Sequence, residues 1–349
     1  MGRQQIKLNK KKRSRKRIFW FLVFPILLIA SLGISYGIHL YIKAENMMAE
    51  SYHDDRAGKS VLREKKVDPK IDNVSILFIG IDDSEKRSQG DHTRSDALLL
   101  ATLNEKEKSV KLLSIPRDSY VYIDEVGYST KINHAHAYGG PKATIETVEQ
   151  LLDIPVDYYV RVDFEAFMEI IDALGGVDID VPFAFSEQNS KDKADAISLE
   201  PGLQTLNGEE ALAFARTRKR DNDIERGKRQ QEIMKAIVKK AASGTSVVKY
   251  GQVIDAIGAN MKTDMTFDEI KSFIDYGVAS HLTIDTMTLE GFDSYIPNSS
   301  GKNVYYWQLD ENALAETKTT LKQHLDITTI PATNSVANPS NNSQEGDKE

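Results

Sequence analysis

Val74-Ser75-Ile76-Leu77-Phe78-Ile79-Gly80 is an almost unbroken apolar run that ends in glycine. A short apolar run bounded by a turn former reads as a buried strand. A loop rich in Asp, Ser, Gly and Lys follows over Ile81–Thr93. Asp96 to Leu103 is again strand-like, and Ser109 to Ile115 makes a third strand closed by Pro116. Continuous runs such as Ala97-Leu98-Leu99-Leu100 belong to strands covered on both faces. Helical periodicity follows at Pro141–Leu152, with Ile145, Val148, Leu151 and Leu152 inward, and again at Phe164–Leu174, which stops at Gly175-Gly176. Val156–Val162 between them and Val177–Val181 after them read as strands. Asn207 and Glu210 form a capping-box pattern opening a helix over Glu209–Ala215. Glu225 to Ala242 is a longer helix, and Thr266 with Glu269 caps another. Strands near Thr283–Leu289 and Asn303–Leu309 and a helix from Asp310 complete one α/β domain over about residues 71–330.

Outside that domain, composition assigns the rest. Residues 1–17 carry nine basic residues and no acid. Ile18 to Ile42 is 25 residues without Asp, Glu, Lys or Arg, with Phe19, Trp20, Phe21 and Tyr36, Tyr41 near its ends. A bilayer needs about 20 such residues, and aromatic belts mark its interfaces. The span exceeds the 7–15-residue core of a cleaved signal peptide, and no clear small-x-small site follows. The expectation is therefore an uncleaved anchor over 18–42, with 1–17 in the cytoplasm by the positive-inside rule and 43–349 outside the cell. Residues 43–70 are polar and charged, a stalk with helical stretches. Residues 331–349 lack the apolar content to fold and read as a disordered tail. There is no cysteine, so no disulfide framework or thiolate metal site exists.

Residues 18–349 hold 36 basic against 52 acidic groups, net −16. A nucleic-acid binder would need a broad positive surface, so no nucleic acid is expected as a partner. Against that background Arg216 to Gln230 concentrates seven Lys/Arg and three acids. Arginine suits bidentate phosphate binding. Arg216 and Arg218 would point the same way on an extended segment. Arg226, Arg229 and Gln230 would share the first turns of the next helix, where free N–H groups and the dipole favour an anion. The same run could also be a solvated face; Lys219, Arg220, Lys228 and Arg229 are expected to be its solvated remainder.

Three further polar clusters sit at strand ends: Gly80-Ile81-Asp82-Asp83, Thr93-Arg94-Ser95-Asp96 and Ile115-Pro116-Arg117-Asp118. If the first two strands are antiparallel neighbours, Asp82 and Asp96 meet at one sheet edge and could share a hard cation. Magnesium suits few carboxylates plus substrate phosphates. The plain alternatives are a turn at Asp82-Asp83 and structural ion pairs at Arg94 and Arg117. His134 and His136 have no obvious third ligand and read as structural. Ser114 and Ser119 have no nucleophile motif behind them.

Together with Lys131-Ile-Asn133, Tyr138-Gly-Gly140, Gly175-Gly176-Val177 and Asp223-x-x-Arg226-x-x-x-Gln230, these clusters resemble the LytR–CpsA–Psr family over about residues 73–245. The resemblance implies a single α/β/α domain with a central mixed sheet, helices on both faces and a channel for a prenyl chain, preceded by one transmembrane helix. It implies a Gram-positive cell-membrane phosphotransferase. Such an enzyme moves an anionic glycopolymer (teichoic acid or capsule) from a polyprenyl-pyrophosphate carrier to the muramic acid C6 hydroxyl of peptidoglycan. By motif match, Asp82 and Asp96 hold magnesium, with manganese as the alternative ion. Arg94, Arg117, Arg216, Arg218, Arg226 and Gln230 hold the pyrophosphate. Arg117 also acts in catalysis, and Asp82 or Asp223 takes the hydroxyl proton. The rival functions are a non-catalytic lipid-phosphate binder, an envelope-stress regulator, and a phosphohydrolase of the same lipid.

Overall fold

Strands β1 (Val74–Ile81) and β2 (Ser95–Asn104) pair antiparallel, and their side chains divide between two cores. Leu77, Ile79, Ile81, Leu98 and Leu100 face one core, while Val74, Ile76, Phe78, Leu99 and Ala101 face the other. Period-two alternation with both faces buried is the reason these strands read as continuous apolar runs. In the computed structural model, the described residues are 31, 35–54, 56, 58–82, 93–219, 222–242, 261–278, 282–298 and 300–327.

Six strands form the central sheet in the order β11-β6-β1-β2-β3-β12, adding β3 (Ser109–Ser114), β6 (Tyr158–Val162), β11 (Met261–Thr263) and β12 (Thr283–Thr288). The sheet is mixed: β6 and β12 run parallel to their neighbours β1 and β3, and the other pairs are antiparallel. Two-stranded ribbons surround it: β4 (Tyr120–Ile123) with β5 (Tyr128–Lys131), β7 (Val177–Val181) with β10 (Gly202–Leu206), β8 (Phe185–Glu187) with β9 (Ile197–Leu199), and β13 (Gly291–Pro297) with β14 (Asn303–Leu309).

Helix α1 covers 35–51. On one face of the sheet lie α2 (His134–Leu152) and α7 (Glu311–His324), whose Ile145, Val148, Leu152 and Leu321 enter the first core. Helix α2 is broken at Gly139 and Gly140, and Pro141 opens its second half, as suits a residue without an N–H. On the other face, α5 (Asp223–Ala242) and α6 (Phe267–Val278) supply Met234, Ile270 and Phe273. Helices α3 (Phe164–Leu174) and α4 (Gly208–Arg216) join α5 and β7 in a third cluster. The expected capping box is present: Asn207 accepts from the Glu210 N–H and Glu210 from the Asn207 N–H. The expected two-faced mixed α/β architecture is thus the one found.

Residues 43–70, expected as a stalk with helical stretches, begin in helix α1 and their described part packs against the domain. Ala44 and Met48 of α1 are buried, Met48 within the second core. Arg56 donates to Val156 O (2.7 Å), Asp157 O (3.2 Å) and Asp264 Oδ2 (2.5 Å). Arg63 pairs with both oxygens of Asp157 at 2.8 Å. The segment docks through ion pairs to buried carboxylates, which its poverty in apolar residues conceals. No helix among the described residues is long and apolar enough to cross a membrane. Most of the expected span, 18–30 and 32–34, lies outside the described residues, as do 1–17, Asp83, Arg220 and the tail 331–349.

Candidate functional site

A cavity of about 680 Å³ lies between the sheet and helices α3, α4 and α5. Three of its walls change character in the same sense. Along β1 the lining runs Phe78, Gly80, Asp82; along β2, Leu99, Ala97, Asp96; and along α5, Ile237, Met234, Ile233, Gln230, Arg226. One end is therefore apolar and the other charged. Arg117, Arg216 and Arg218 also line the cavity, with Lys219, Asp163 and Glu187.

Strict alternation would turn Asp96 away from Asp82, because Ala97 pairs with Gly80 and already faces the cavity. A β-bulge prevents this: the register shifts so that Ile81 pairs with Ser95, and Asp96 is the extra residue. Bulges re-aim side chains next to functional sites in this way. Asp82 and Asp96 consequently line one cavity.

The charged end is held by ion pairs. Arg117 Nη1 lies 2.5 Å from Asp96 Oδ1, and its Nε is 3.9 Å from Asp118 Oδ2 and 3.8 Å from Asp223 Oδ2. That Nε is buried and makes no hydrogen bond. Asp223 Oδ1 lies 3.3 Å from Arg218 Nη1 and 3.1 Å from Arg226 Nη1. Burial opposes the charge on Arg117, but Asp96, Asp223 and Asp118 outweigh it and hold the guanidinium above its usual range. Burial also pushes Asp223 upward, yet Arg226, Arg117 and Arg218 win and hold its carboxyl below the ordinary range. Arg226, 6 % exposed, is lowered to about 10 by burial; Asp223 counteracts this, while Arg117 and Arg218 add to it. A guanidinium so placed gains from a second anion.

Three expectations are corrected. Arg216 is not on an extended segment: it ends α4, its guanidinium 4.9 Å over the Phe164 ring, and the chain extends only from Thr217. Arg229 is not solvated. It is 6 % exposed and donates to Phe214 O (3.1 Å) and Thr217 O (2.5 Å), tying α5 to the end of α4, which carries Arg216 and leads into Arg218. The start of α5 is not an open anion site either, because Asn222 Oδ1 accepts from the Ile224 and Glu225 N–H groups at 3.0 and 3.1 Å.

Of the expected site residues, Asp82, Asp96, Arg117, Arg216, Arg218, Arg226 and Gln230 line the cavity. Asp223 stands just behind them. Arg94 is exposed and outside the lining; its charge reaches His134, which burial first, then Arg94 and Lys131, lower to about 4. His134 shares a hydrogen bond with Thr130 Oγ1 (3.0 Å), and His136 Nδ1 meets Thr93 O at 2.5 Å. Among the described residues no group of three His, Asp or Glu is placed to hold a metal. Two carboxylates at paired strand ends still fit magnesium, which keeps waters and takes substrate phosphates for the rest of its shell.

The model of the LytR_cpsA_psr family matches residues 36–323. The chain belongs to this family. It is 39 % identical over 325 residues to the polyisoprenyl-teichoic acid–peptidoglycan teichoic acid transferase TagT of Bacillus subtilis strain 168, covering 91 % of this chain and 98 % of TagT. A structure of TagT bound to LIIa-WTA superimposes with a TM-score of 0.65 at 39 % identity, over 78 % of this chain and 98 % of that one. Another family structure, YwtF (TagT) with bound octaprenyl pyrophosphate lipid, gives 0.61 at 37 % identity over the same shares. Two residues outside the family motifs recognised in the sequence also build this site. Arg229 was hidden by its place in a charged run, although its i+3 spacing from Arg226 was visible. Asn222 offered the signal of an N-cap residue before a helix.

Proposed function

We propose that this protein is a membrane-anchored phosphotransferase that moves an anionic glycopolymer from a polyprenyl-pyrophosphate carrier to the muramic acid C6 hydroxyl of peptidoglycan, releasing polyprenyl phosphate. The observation that carries this reading is the cavity, apolar at one end and lined by Arg117, Arg216, Arg218 and Arg226 at the other. A lipid pyrophosphate has the same polarity along its length. Relatives named for teichoic acid transfer, one of them with octaprenyl pyrophosphate bound, support the assignment.

The arginines offset charge that grows on the departing lipid phosphate, and a buried, preorganised cluster does so more strongly than solvent would. Asp223, committed to three guanidinium groups and held below its usual range, is a weak base. Its part is to keep those groups apart and aimed. Asp82 and Asp96 would hold magnesium, which supplies positive charge beside the phosphates. The span over 18–42 would anchor the chain in the cell membrane with its catalytic domain outside.

The test is to give the full chain a polyprenyl-pyrophosphate-linked saccharide, peptidoglycan oligomers and magnesium. Saccharide attached to glycan is expected. Release of saccharide phosphate without attachment would make the protein a hydrolase, and retention of intact lipid without turnover would make it a binder.

A further inference from the structure

Beside the charged end of the cavity, outside its lining, two ribbons assemble an aromatic shelf. Lys131 Nζ pairs with Asp118 Oδ1 at 2.9 Å and stands 5.6 Å over the Tyr305 ring and 5.8 Å over that of Tyr306. Tyr306 packs edge-on to Tyr120, centroids 4.9 Å apart. Tyr128 and Tyr138 are 53 % and 54 % exposed. Tyr128 is close enough to Tyr138 and Tyr306 that both raise its phenol. The shelf is joined to the site through the backbone: the Trp307 N–H donates to Asp118 O at 2.9 Å, next to Arg117. Tyr120, Tyr305 and Tyr306 are partly buried beside the exposed Tyr128 and Tyr138, and aromatic surface gathered in this way suits a binding site.

We propose that this shelf binds the acceptor, a neutral pyranose chain of the peptidoglycan glycan, and presents its hydroxyl to the pyrophosphate. The inference rests on the transferase reading above. In phosphoryl transfer the entering and leaving oxygens lie roughly in line. The hydroxyl oxygen bonds to the saccharide-bearing phosphorus, and the bond from that phosphorus to the bridging oxygen breaks. The electron pair leaves with the polyprenyl phosphate, and the hydroxyl proton passes to a carboxylate. The leaving lipid lies toward the apolar end, so the hydroxyl must enter from the opposite side of the arginines. Arg117, Asp118, Lys131, Tyr305 and Tyr306 follow one another by contact, and of these five Arg117 lines the cavity while the others lie outside the lining. Tyrosine faces suit the C–H faces of pyranose rings. Phenols such as that of Tyr305, which donates to Asp293 Oδ1 at 2.9 Å, and the Lys131 ammonium suit their hydroxyl and amide groups.

The experiment uses the full chain in detergent, with uncross-linked glycan oligomers of peptidoglycan as the probe. Calorimetry reads glycan binding, and initial rates read acceptor and donor KM separately. Tyr306→Ala and Tyr128→Ala are each expected to weaken glycan binding and raise acceptor KM about tenfold, with donor KM within twofold. Tyr306→Phe, which keeps the ring, is expected to stay within threefold of the parent. Equal glycan binding by parent and both alanine variants would overturn the shelf. So would no binding by the parent, or a concentration-dependent dimer abolished by the same variants. A parent that binds glycan through these tyrosines yet transfers nothing to it would uphold the shelf and sink the transferase reading instead.

Discussion

Arg117 and Asp96 form a 2.5 Å ion pair across the charged end of the cavity, although Arg117 follows β3 and Asp96 is the bulged residue of β2. A carboxylate proposed to hold magnesium thus already neutralises a guanidinium proposed to hold phosphate. Cation and arginine must share Asp96, so magnesium binding should be weak without lipid and stronger with it. Asp82→Asn and Asp96→Asn should each lower magnesium affinity at least tenfold by calorimetry on the full chain with lipid pyrophosphate present. Unchanged affinity in both would remove the metal assignment.

The arginines separate by burial. Arg218 has a side chain 49 % exposed, whereas that of Arg226 is 8 % exposed. Arg218→Ala should reduce turnover by about a hundredfold or more, as loss of a charge-stabilising donor does, with little change in Tm. Arg226→Ala should reduce both, because it leaves Asp223 with one fewer partner. Arg117→Ala should likewise abolish turnover while circular dichroism remains that of a folded domain. Full activity in the Arg117 and Arg218 variants would sink the site.

Two glycines set how closely helices approach. A Cβ on Gly208 would lie 2.5 Å from Met168 O and 2.7 Å from its Cα, backbone atoms that cannot rotate away. On Gly227 it would lie 2.4 Å from Ser114 Oγ, a side chain that can turn. Gly208→Ala should therefore destabilise by about 3 kcal/mol and Gly227→Ala by about 1 kcal/mol. Urea denaturation measures both, and the order matters more than the values.

Arg56 tests the docking of the segment before the sheet. It contacts Asp264, Val156 O and Asp157 O, and its removal leaves the buried Asp264 carboxylate without its ion pair. Burial first drives Asp264 upward, with Arg56 the main opposing influence. Arg56→Ala should cost about 3 kcal/mol or more. A stability equal to the parent's would mean that the segment is not docked in solution.

His134 is held neutral, lowered from its ordinary 6.5 to about 4 by burial, Arg94 and Lys131. The unfolded chain binds the proton more readily, so stability contributed by this group is complete above about pH 6.5 and is lost as pH falls toward 4. Melting temperature should decline over that window, and His134→Gln should make the decline shallower. An identical slope in the variant would show that other groups carry it.

Much of the fold was legible because its signals are local. Continuous apolar runs mark the strands buried on both faces, alternation marks β7, Asn207 and Glu210 satisfy each other across one helical turn, and Gly175 ends α3 in the left-handed region at φ 81°. The small ribbons were harder to see. In β13, Gly291–Pro297, the residues are exposed or only partly buried, so no buried apolar run marks it.

The site shows the same division. Its residue types were readable in order along the chain: carboxylates past one strand and before the next, an arginine past the third, and arginines around a helix start. Chemistry follows from residue type, and type is written in the sequence. Aim and company were not readable. The bulge that turns Asp96 to the same cavity as Asp82 depends on pairing between strands. The burial of Arg229 depends on carbonyls at the end of a neighbouring helix. The shelf around Lys131 joins residues more than 170 positions apart. Non-local contacts leave no periodic trace in the chain that makes them, and here they decide which arginines face the cavity and what stands beside its charged end.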